Sequence, residues 1–340
     1  MNPMKLTVTQ VLQHYGMCDA SAAIALDPQH FVVANDEDNI LRIYSLMASG
    51  GPVAWGTHGR AGLDVNGYFD NNPKHREVDI EAAAQIGSIS YWITSHGRTK
   101  DGKPRPERHQ FFAQTISQTG ERQSLRQVGG SYTQLVADMR QDQRLQGYCF
   151  DQAEKLPPKQ PGGLNIEGLT ATPSQELYLG FRNPIPQGKA LLLPLKNPQD
   201  LVQNNHARAQ FGEPIELDLN GLGIRSIDYW ASQKCYLIIA GIYHGGDEFA
   251  LYRWSGLEDK PQPMEITGLP PDFRPEGVFF HPHQDHQFHL LSDDGSIVRG
   301  AGVPCKDIPD SHHPHKYFRS LVVELAREPE QPPGPLAPDP

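Results

Sequence analysis

A fivefold internal repeat constrains the fold of this chain more than any other feature. Five segments align without gaps, and in each of them the first position is polar or glycine and the fourth is small. The third position is polar or charged in every copy: Ser21, Glu81, Glu167, Arg225 and Glu276. Such a repeat predicts similar structural units that bury their hydrophobic faces against one another.

Each repeat segment continues into further short apolar runs that are rich in β-branched and aromatic residues and end in polar loops, as β-strands do. Three runs are present in every unit, and four units have a fourth run, at residues 52–58, 125–130, 213–219 and 262–269. The last unit lacks one, and residues 6–13 are predicted to supply it. Radial repetition of four-stranded sheets is the β-propeller architecture. The chain is therefore predicted to be an all-β protein, a propeller of five blades.

One long interval between repeats leaves six blades open as an alternative count. Between Asp79 and Asn165, residues 131–146 carry apolar side chains at roughly helical spacing. We therefore predict a short helical and loop insertion over residues 131–164 rather than a hidden blade, within a single propeller domain of residues 1–326. Residues 327–340 are rich in proline and almost free of apolar side chains, which predicts a disordered tail.

Charge and cysteine content exclude several classes of function. The formal net charge of −10 argues against nucleic-acid binding, which depends on clustered Lys and Arg. No apolar run is long enough to span a membrane, and the N-terminal residues lack the pattern of a signal peptide, so we expect a cytoplasmic protein without a membrane partner. The four cysteines are far apart, which favours buried thiols over a disulfide framework or a zinc site.

The repeat also predicts where a site would form. In a propeller, the inner strands begin at one mouth of the central channel, and the loops between second and third strands turn on the same face. Glu81, Glu167, Arg225 and Glu276 are therefore expected to converge there. The neighbouring loops add a second set of polar residues: His96, Arg98, Arg182 and Asn183.

These residue types suggest a chemistry for the channel mouth. Glu81, Glu167 and Glu276 are candidate ligands of a hard cation, with Glu81 and Glu167 also candidate catalytic groups. Arg98, Arg182, Asn183, Arg225 and Glu276 are candidate contacts to a small anionic ligand, and His96 is a candidate proton carrier. An enzyme built this way would be a metal-assisted hydrolase.

Two alternatives without catalysis stay open. The glutamates and arginines can pair across the channel as an ion-pair network that only fixes the blades relative to one another. The protein would then be a non-catalytic platform that binds a protein partner, and the oligomeric state is open in either case.

Seven phrases carry a resemblance to a known family: DIEAAA, SHGR, GGLNIEGL, GFRNP, GKALLLPL, YLIIAG and LYRWSG. The chain resembles the uncharacterised bacterial family called domain of unknown function 3616, over roughly Asp19 to Glu324. Through the phrase Asn165-Ile-Glu-Gly-Leu169 it distantly resembles phytase-like propellers. That resemblance implies calcium bound by carboxylates at the channel mouth, where it neutralises a phosphoester, with Glu81, Glu167 and Glu276 at comparable positions.

Overall fold

Five sheets surround a central channel, and each contains one copy of the repeat. The computed structural model describes residues 4–54, 62–119, 122–246, 248–281, 284–300 and 302–326. Within each sheet the first strand of the unit is innermost. These inner strands contact one another in sequence around the ring, and the last contacts the first. The predicted all-β propeller with five blades is confirmed.

The first four blades follow the order of the chain from the channel outward. The first blade comprises β2 (Ala22–Asp27), β3 (His30–Ala34), β4 (Ile40–Ser45) and β5 (Gly62–Asp64). The second comprises β6 (Ile80–Ile86), β7 (Ile89–Thr94), β8 (Phe111–Thr119) and β9 (Arg122–Gln127). The third comprises β10 (Asn165–Ala171), β11 (Leu177–Asn183), β12 (Ala190–Leu195) and β13 (Ile215–Leu217). The fourth comprises β14 (Gly223–Trp230), β15 (Cys235–Gly241), β16 (Phe249–Trp254) and β17 (Gln262–Met264).

The fifth blade joins the two ends of the chain. From the channel outward, its first three strands are β19 (Pro275–Phe280), β20 (Gln287–Ser292) and β21 (Tyr317–Leu325). The N-terminal strand β1 (Leu6–Tyr15) pairs antiparallel with β21, and the short β18 (Ile266–Thr267) adds a parallel edge to β1. The prediction that residues 6–13 complete the last blade is confirmed, and the ring is closed by backbone hydrogen bonds between the two ends of the described chain.

The small fourth position of the repeat has a steric cause. A Cβ built on Gly168 would lie 2.9 Å from Cα of Gly180 in the paired strand and 2.9 Å from Cγ2 of Ile224 in the next blade. A side chain there would push the inner strands of neighbouring blades apart, because interiors are packed without spare volume. The fourth position of the repeat is therefore small because the inner strands of neighbouring blades lie so close together there.

The outer strand of the first blade differs from its prediction. It is β5, Gly62–Asp64, whereas residues 52–54 of the predicted run are not in a strand and residues 55–58 lie outside the described residues. Pro52 has no N–H to offer a neighbouring strand, and Val53 makes a single backbone hydrogen bond to Ile43 O at 2.8 Å. The other three predicted outer runs overlap β9, β13 and β17, but the second half of the run at residues 262–269 forms β18 in the fifth blade.

The long interval in the second unit holds helices, as predicted. These are α1 (Leu135–Gln141) and α2 (Phe150–Ala153), and a third helix, α3 (Pro198–Gln203), lies between β12 and β13. Leu135, Val136 and Met139 bury one face of α1 in the core shared by the second and third blades. The hidden sixth blade is therefore absent from residues 131–164, and the predicted disordered tail lies outside the described residues.

The cysteine prediction was wrong for two of the four residues. Cys18 and Cys305 form a disulfide with a Cα–Cα distance of 5.8 Å across a sequence separation of 287, while Cys149 is free and exposed and Cys235 is free and buried. Closure of the ring places the start of the first blade beside the loop between β20 and β21, a proximity that spacing along the chain does not reveal. Among the described residues, no helix has both the length and the apolar character needed to cross a membrane.

Candidate functional site at the channel mouth

β-Bulges aim the third position of the repeat into the channel. The pairing of first and second strands shifts register around Glu81, Glu167, Arg225 and Glu276, so each of them is the extra residue of a bulge. Bulges re-aim side chains and are common beside functional sites. The predicted convergence of these four residues on one mouth of the channel is what the structure shows.

Ser21, the third position of the first blade, is used differently. Its hydroxyl donates to Ile80 O at 2.5 Å and is 3.3 Å from Ala34 O, so it joins the first blade to the second. The ring at the channel mouth therefore carries three carboxylates and one guanidinium from four blades.

Two arginines pair with two of the three glutamates. Nη1 of Arg182 donates to Oε1 of Glu167 at 2.7 Å, and Nε of Arg182 donates to Ile242 O at 3.0 Å. Arg225 lies between its neighbours in the ring, with Nη2 against Oε2 of Glu276 and Nε 3.7 Å from Oε2 of Glu167. All four side chains are buried, so part of the ring is an ion-pair network between blades.

Glu81 has no such partner. Its ring neighbours are the neutral Ser21 and the anionic Glu167, and it forms no hydrogen bond or ion pair with any other residue that the structure describes. Burial, together with the charges of Asp79, Glu167 and Asp36, raises its pKa well above the usual range. Burial also raises the pKa of Glu276, to about 7, although Arg225 opposes the shift.

Seven further acidic residues line the mouth and were not among the predicted site residues, and four of them, all aspartates, lie close enough to the ring to interact with its charges. Asp19 and Asp79 occupy the first position of their repeats, and Asp36 and Asp293 come from loops of the first and fifth blades. Burial and mutual repulsion raise the pKa values of Asp19 and Asp36 well above normal. Burial raises that of Asp79 to about 6, against the pull of Arg108, whose Nη1 lies 2.9 Å from Oδ2 of Asp79.

The mouth is a cavity of about 740 Å³ that is lined mainly by charged and polar residues. The ring and the four aspartates lie around its floor, where Asp19 Oδ1, Asp36 Oδ1 and Glu167 Oε2 are buried without hydrogen-bond partners in the described part of the chain. At the rim, three exposed lysines from different loops, Lys100, Lys159 and Lys306, lie in the same lining as the exposed Glu37 and Asp101. Unpaired buried oxygens are costly, so the floor is built for a positive partner.

The geometry of the three glutamates fits a calcium-like ion. One carboxylate oxygen from each of Glu81, Glu167 and Glu276 can be chosen so that all three lie within 4.8 Å of one another. Oxygens bound to a single Ca²⁺ at about 2.3–2.6 Å lie at most about 5 Å apart. Glu81 and Oε2 of Glu167 are not engaged by a hydrogen bond, which leaves them able to bind a cation.

Three predicted site residues do not line this cavity. The His96 ring is buried against His109, its Nδ1 is 2.8 Å from Thr94 O, and burial lowers its pKa to about 3. Arg98 donates from Nε to Glu154 O at 2.6 Å, and Asn183 donates from Nδ2 to Pro158 O at 2.9 Å. Arg98 and Asn183 thus hold the insertion over the channel mouth, and the insertion supplies Lys159 to the rim.

Comparison with known families supports the resemblance seen in the sequence. Residues 111–269 match the family model described as a protein of unknown function, DUF3616. The matched segment contains Glu167, Arg182 and Arg225 but ends before Glu276. The wider extent of the resemblance and its phytase-like part stay predictions. No curated protein matches the chain.

Solved structures of similar fold are distant in sequence. The PQQ-bound aldose sugar dehydrogenase of Streptomyces coelicolor is 11% identical, with a TM-score of 0.45 and coverage of 96% of this chain and 99% of that one. The glutaminyl cyclase of Myxococcus xanthus is 9% identical, with a TM-score of 0.42 and coverage of 96% and 99%. The virginiamycin B lyase of Staphylococcus aureus is 10% identical, with a TM-score of 0.39 and coverage of 95% and 100%.

Proposed function

We propose that the channel mouth binds a divalent cation of the calcium type on Glu81, Glu167 and Glu276, and that this cation and the rim lysines together bind a small anionic ligand such as a phosphoester. The observation that carries the proposal is the surplus of buried carboxylates around Glu81, which forms no ion pair or hydrogen bond with any residue that the structure describes. A cation on these oxygens would relieve the repulsion that raises their pKa values.

The lysines at the rim of the cavity support the proposal that the ligand is an anion. Lys100, Lys159 and Lys306 outnumber the two exposed acidic residues of the entrance, Glu37 and Asp101, and they can attract anions there. Arg182 and Arg225 are already engaged by glutamates. An anion that enters past the rim would meet the carboxylate floor, and only a bound cation makes that floor attractive to it. A bound cation also polarises a phosphoryl oxygen, which is the chemistry a metal-assisted hydrolase needs.

The interaction platform with a purely structural ring is the competing proposal. The pairs Arg182–Glu167 and Arg225–Glu276 favour a structural role for part of the ring. They account for two of the three glutamates, and Arg108 accounts for Asp79, but Glu81, Asp19 and Asp36 are left without a cationic partner of this kind among the described residues. Cation binding is therefore the proposal that explains more of the acidic residues at the channel mouth.

The disulfide bears on the compartment in which the protein is expected to work. The cytoplasmic location remains a prediction, and the Cys18–Cys305 bond argues against it, because structural disulfides persist mainly in oxidising compartments. Extracellular calcium modules bind with dissociation constants of about 10⁻⁴ to 10⁻³ M, a range that suits such a compartment.

A thermal-shift matrix tests the coupling between cation and anion. The chelated protein is melted alone, with CaCl₂, with inorganic phosphate and with both, and MgCl₂ replaces CaCl₂ in a parallel set. We expect calcium to raise the melting temperature and phosphate to raise it further only when calcium is present, since a ligand at 100 times its Kd adds about 2.7 kcal/mol. Phosphate stabilisation of equal size without a cation would contradict the coupling.

A variant and a substrate analogue extend the same test. Lys159→Gln should weaken the phosphate effect and leave the calcium effect intact, and the exposed Lys234→Gln on the fourth blade is the matched control. p-Nitrophenyl phosphate with calcium separates hydrolysis from binding. Release of nitrophenol would support the hydrolase form of the proposal, and calcium-dependent binding without release would support the ligand-binding form.

A further inference from the structure

A second cavity lies at the other end of the same channel. It has a volume of about 380 Å³, within the range of small-molecule pockets. All five blades contribute residues from the middle or end of their inner strands or from the turn that follows, whereas the channel mouth is built from the beginnings of those strands. We call it the basal cavity, and its lining includes Ala83, Ala171, Asp228, Tyr229, Trp230 and Phe280.

Small side chains on three blades leave the space that forms the basal cavity. The lining residues from the first three inner strands are mostly alanine: Ala23, Ala25, Ala83, Ala84 and Ala171. The fourth and fifth blades provide the opposite wall with Tyr229, Trp230, Phe279 and Phe280, and the Trp230 and Phe280 rings stack at 5.3 Å between centroids. The cavity therefore has an aliphatic side and an aromatic side, which suits an apolar body of limited size.

Asp228 is a carboxylate of this cavity, and three hydrogen bonds fix its orientation. Its Oδ1 accepts from Tyr229 N at 2.8 Å and from Thr170 Oγ1 at 3.4 Å, and its Oδ2 accepts from Phe280 N at 3.2 Å. These donors come from three blades. No lysine or arginine pairs with Asp228 among the described residues, and burial raises its pKa to about 7.

The other polar groups around the basal cavity do not neutralise Asp228. Asp285 adds a second carboxylate at the edge, and its backbone oxygen accepts from Trp230 Nε1 at 3.1 Å. His281 lies in the lining with Nε2 3.2 Å from Asp27 O. Of the residues that the structure describes, no lysine or arginine lines this cavity.

We propose that the basal cavity binds a small organic cation, a protonated amine carried on an apolar body, with Asp228 as its anionic partner. The ammonium group pairs with a preorganised carboxylate that has no lysine or arginine partner among the described residues, and a charge-assisted hydrogen bond of this kind is stronger than one between neutral groups. The body of the ligand occupies the hollow left by the alanines. A hard metal ion is disfavoured because the cavity offers one deep carboxylate rather than a set of them.

The probes are 2-phenylethylammonium and the neutral 2-phenylethanol, which differ in charge and little in shape. Binding is followed by the indole N–H signals in ¹H–¹⁵N spectra, which are few because the chain has four tryptophans. Trp230→Phe assigns the signal of Trp230. We expect the ammonium to shift the Trp230 signal and to bind at least about tenfold more tightly than the alcohol.

Two variants test whether the carboxylate of Asp228 is the group that binds the ammonium. Asp228→Asn should weaken ammonium binding by about tenfold, whereas Asp218→Asn, at an exposed position before the same blade, should leave it unchanged. The comparison of the two probes uses the unmodified chain, so it decides the matter even if Asp228→Asn does not fold. Equal affinity for the alcohol, binding that leaves the Trp230 signal in place, or no binding of the ammonium at millimolar concentration would each overturn the proposal.

Discussion

Nη1 of Arg182 lies 2.7 Å from Oε1 of Glu167, and both side chains are almost wholly buried. Glu167 stands on the inner strand of the third blade and Arg182 on the strand paired with it. Nε of Arg182 also reaches Ile242 O on the fourth blade. The pair thus links two blades at the channel mouth, and it constrains how the ring responds to substitution.

Arg182→Ala should destabilise the metal-free protein by about 3 kcal/mol, because it leaves a buried carboxylate without its partner. Adding Glu167→Gln to the same chain should restore most of the loss, since the orphaned charge is then removed. Arg182→Lys is the control that keeps the charge and loses the guanidinium geometry, and a smaller loss is expected. The free energy of unfolding in urea measures all three, and an unchanged value for Arg182→Ala would show that the pair does not support the fold.

The free energy of unfolding without a cation should fall as the pH rises from 6.5 to about 8. Burial raises the pKa values of Glu276 and Asp228 to about 7 and also raises that of Glu81 well above its usual range, so the folded state holds protons that the unfolded chain has released. Buried histidines oppose this trend near pH 6.5, because the unfolded chain still protonates them in part while burial lowers the pKa of His96 in the folded state to about 3. Their opposition fades by about pH 7.5, where the unfolded histidines are also neutral.

Urea denaturation at several pH values in a chelating buffer measures this slope. Calcium should flatten it, because a bound cation holds the carboxylates of the channel mouth in the ionised form. Glu81→Gln should flatten it without calcium, and the exposed Glu213→Gln is its matched control. Stability that rises between pH 6.5 and 8 without a cation would be inconsistent with the raised pKa values.

Reduction of the Cys18–Cys305 disulfide should lower the melting temperature. The bond closes most of the chain into a loop, and loss of such a crosslink costs about 2–5 kcal/mol. The double variant Cys18→Ser with Cys305→Ser should melt at the temperature of the reduced protein and be insensitive to reductant. Equal melting with and without reductant in the native chain would mean that this bond adds no stability.

The architecture and the charged ring were predictable because both depend on periodicity. Equal spacing placed Glu81, Glu167, Arg225 and Glu276 at the same point of successive blades, and the structure brings them together there. The missing strand in the last unit pointed to residues 6–13 in the same way. The bulge that turns each third position inward leaves no sequence signal beyond the repeat itself.

The rest of the site depends on contacts between blades. Asp19 and Asp79 hold a position that is polar in some units and glycine in another, so its type did not stand out. His96 follows directly after Ser95, whose hydroxyl donates to Oδ2 of Asp79 at the cavity, yet the His96 ring points away toward His109. Adjacent residues at a strand end face opposite sides, and which one faces the channel is decided by packing rather than by sequence.

Isothermal titration of the chelated protein with CaCl₂ tests the central claim, that three glutamates from three blades form a cation site. We expect one calcium ion per chain, binding at least about tenfold weaker in Glu81→Gln, and affinity unchanged in the surface control Glu213→Gln. Because Glu81 has no partner in the ring, its loss should leave the folded protein at least as stable, so weakened binding could not be ascribed to unfolding. Equal calcium affinity in Glu81→Gln and the native chain, or no binding to the native chain at millimolar calcium, would contradict the account.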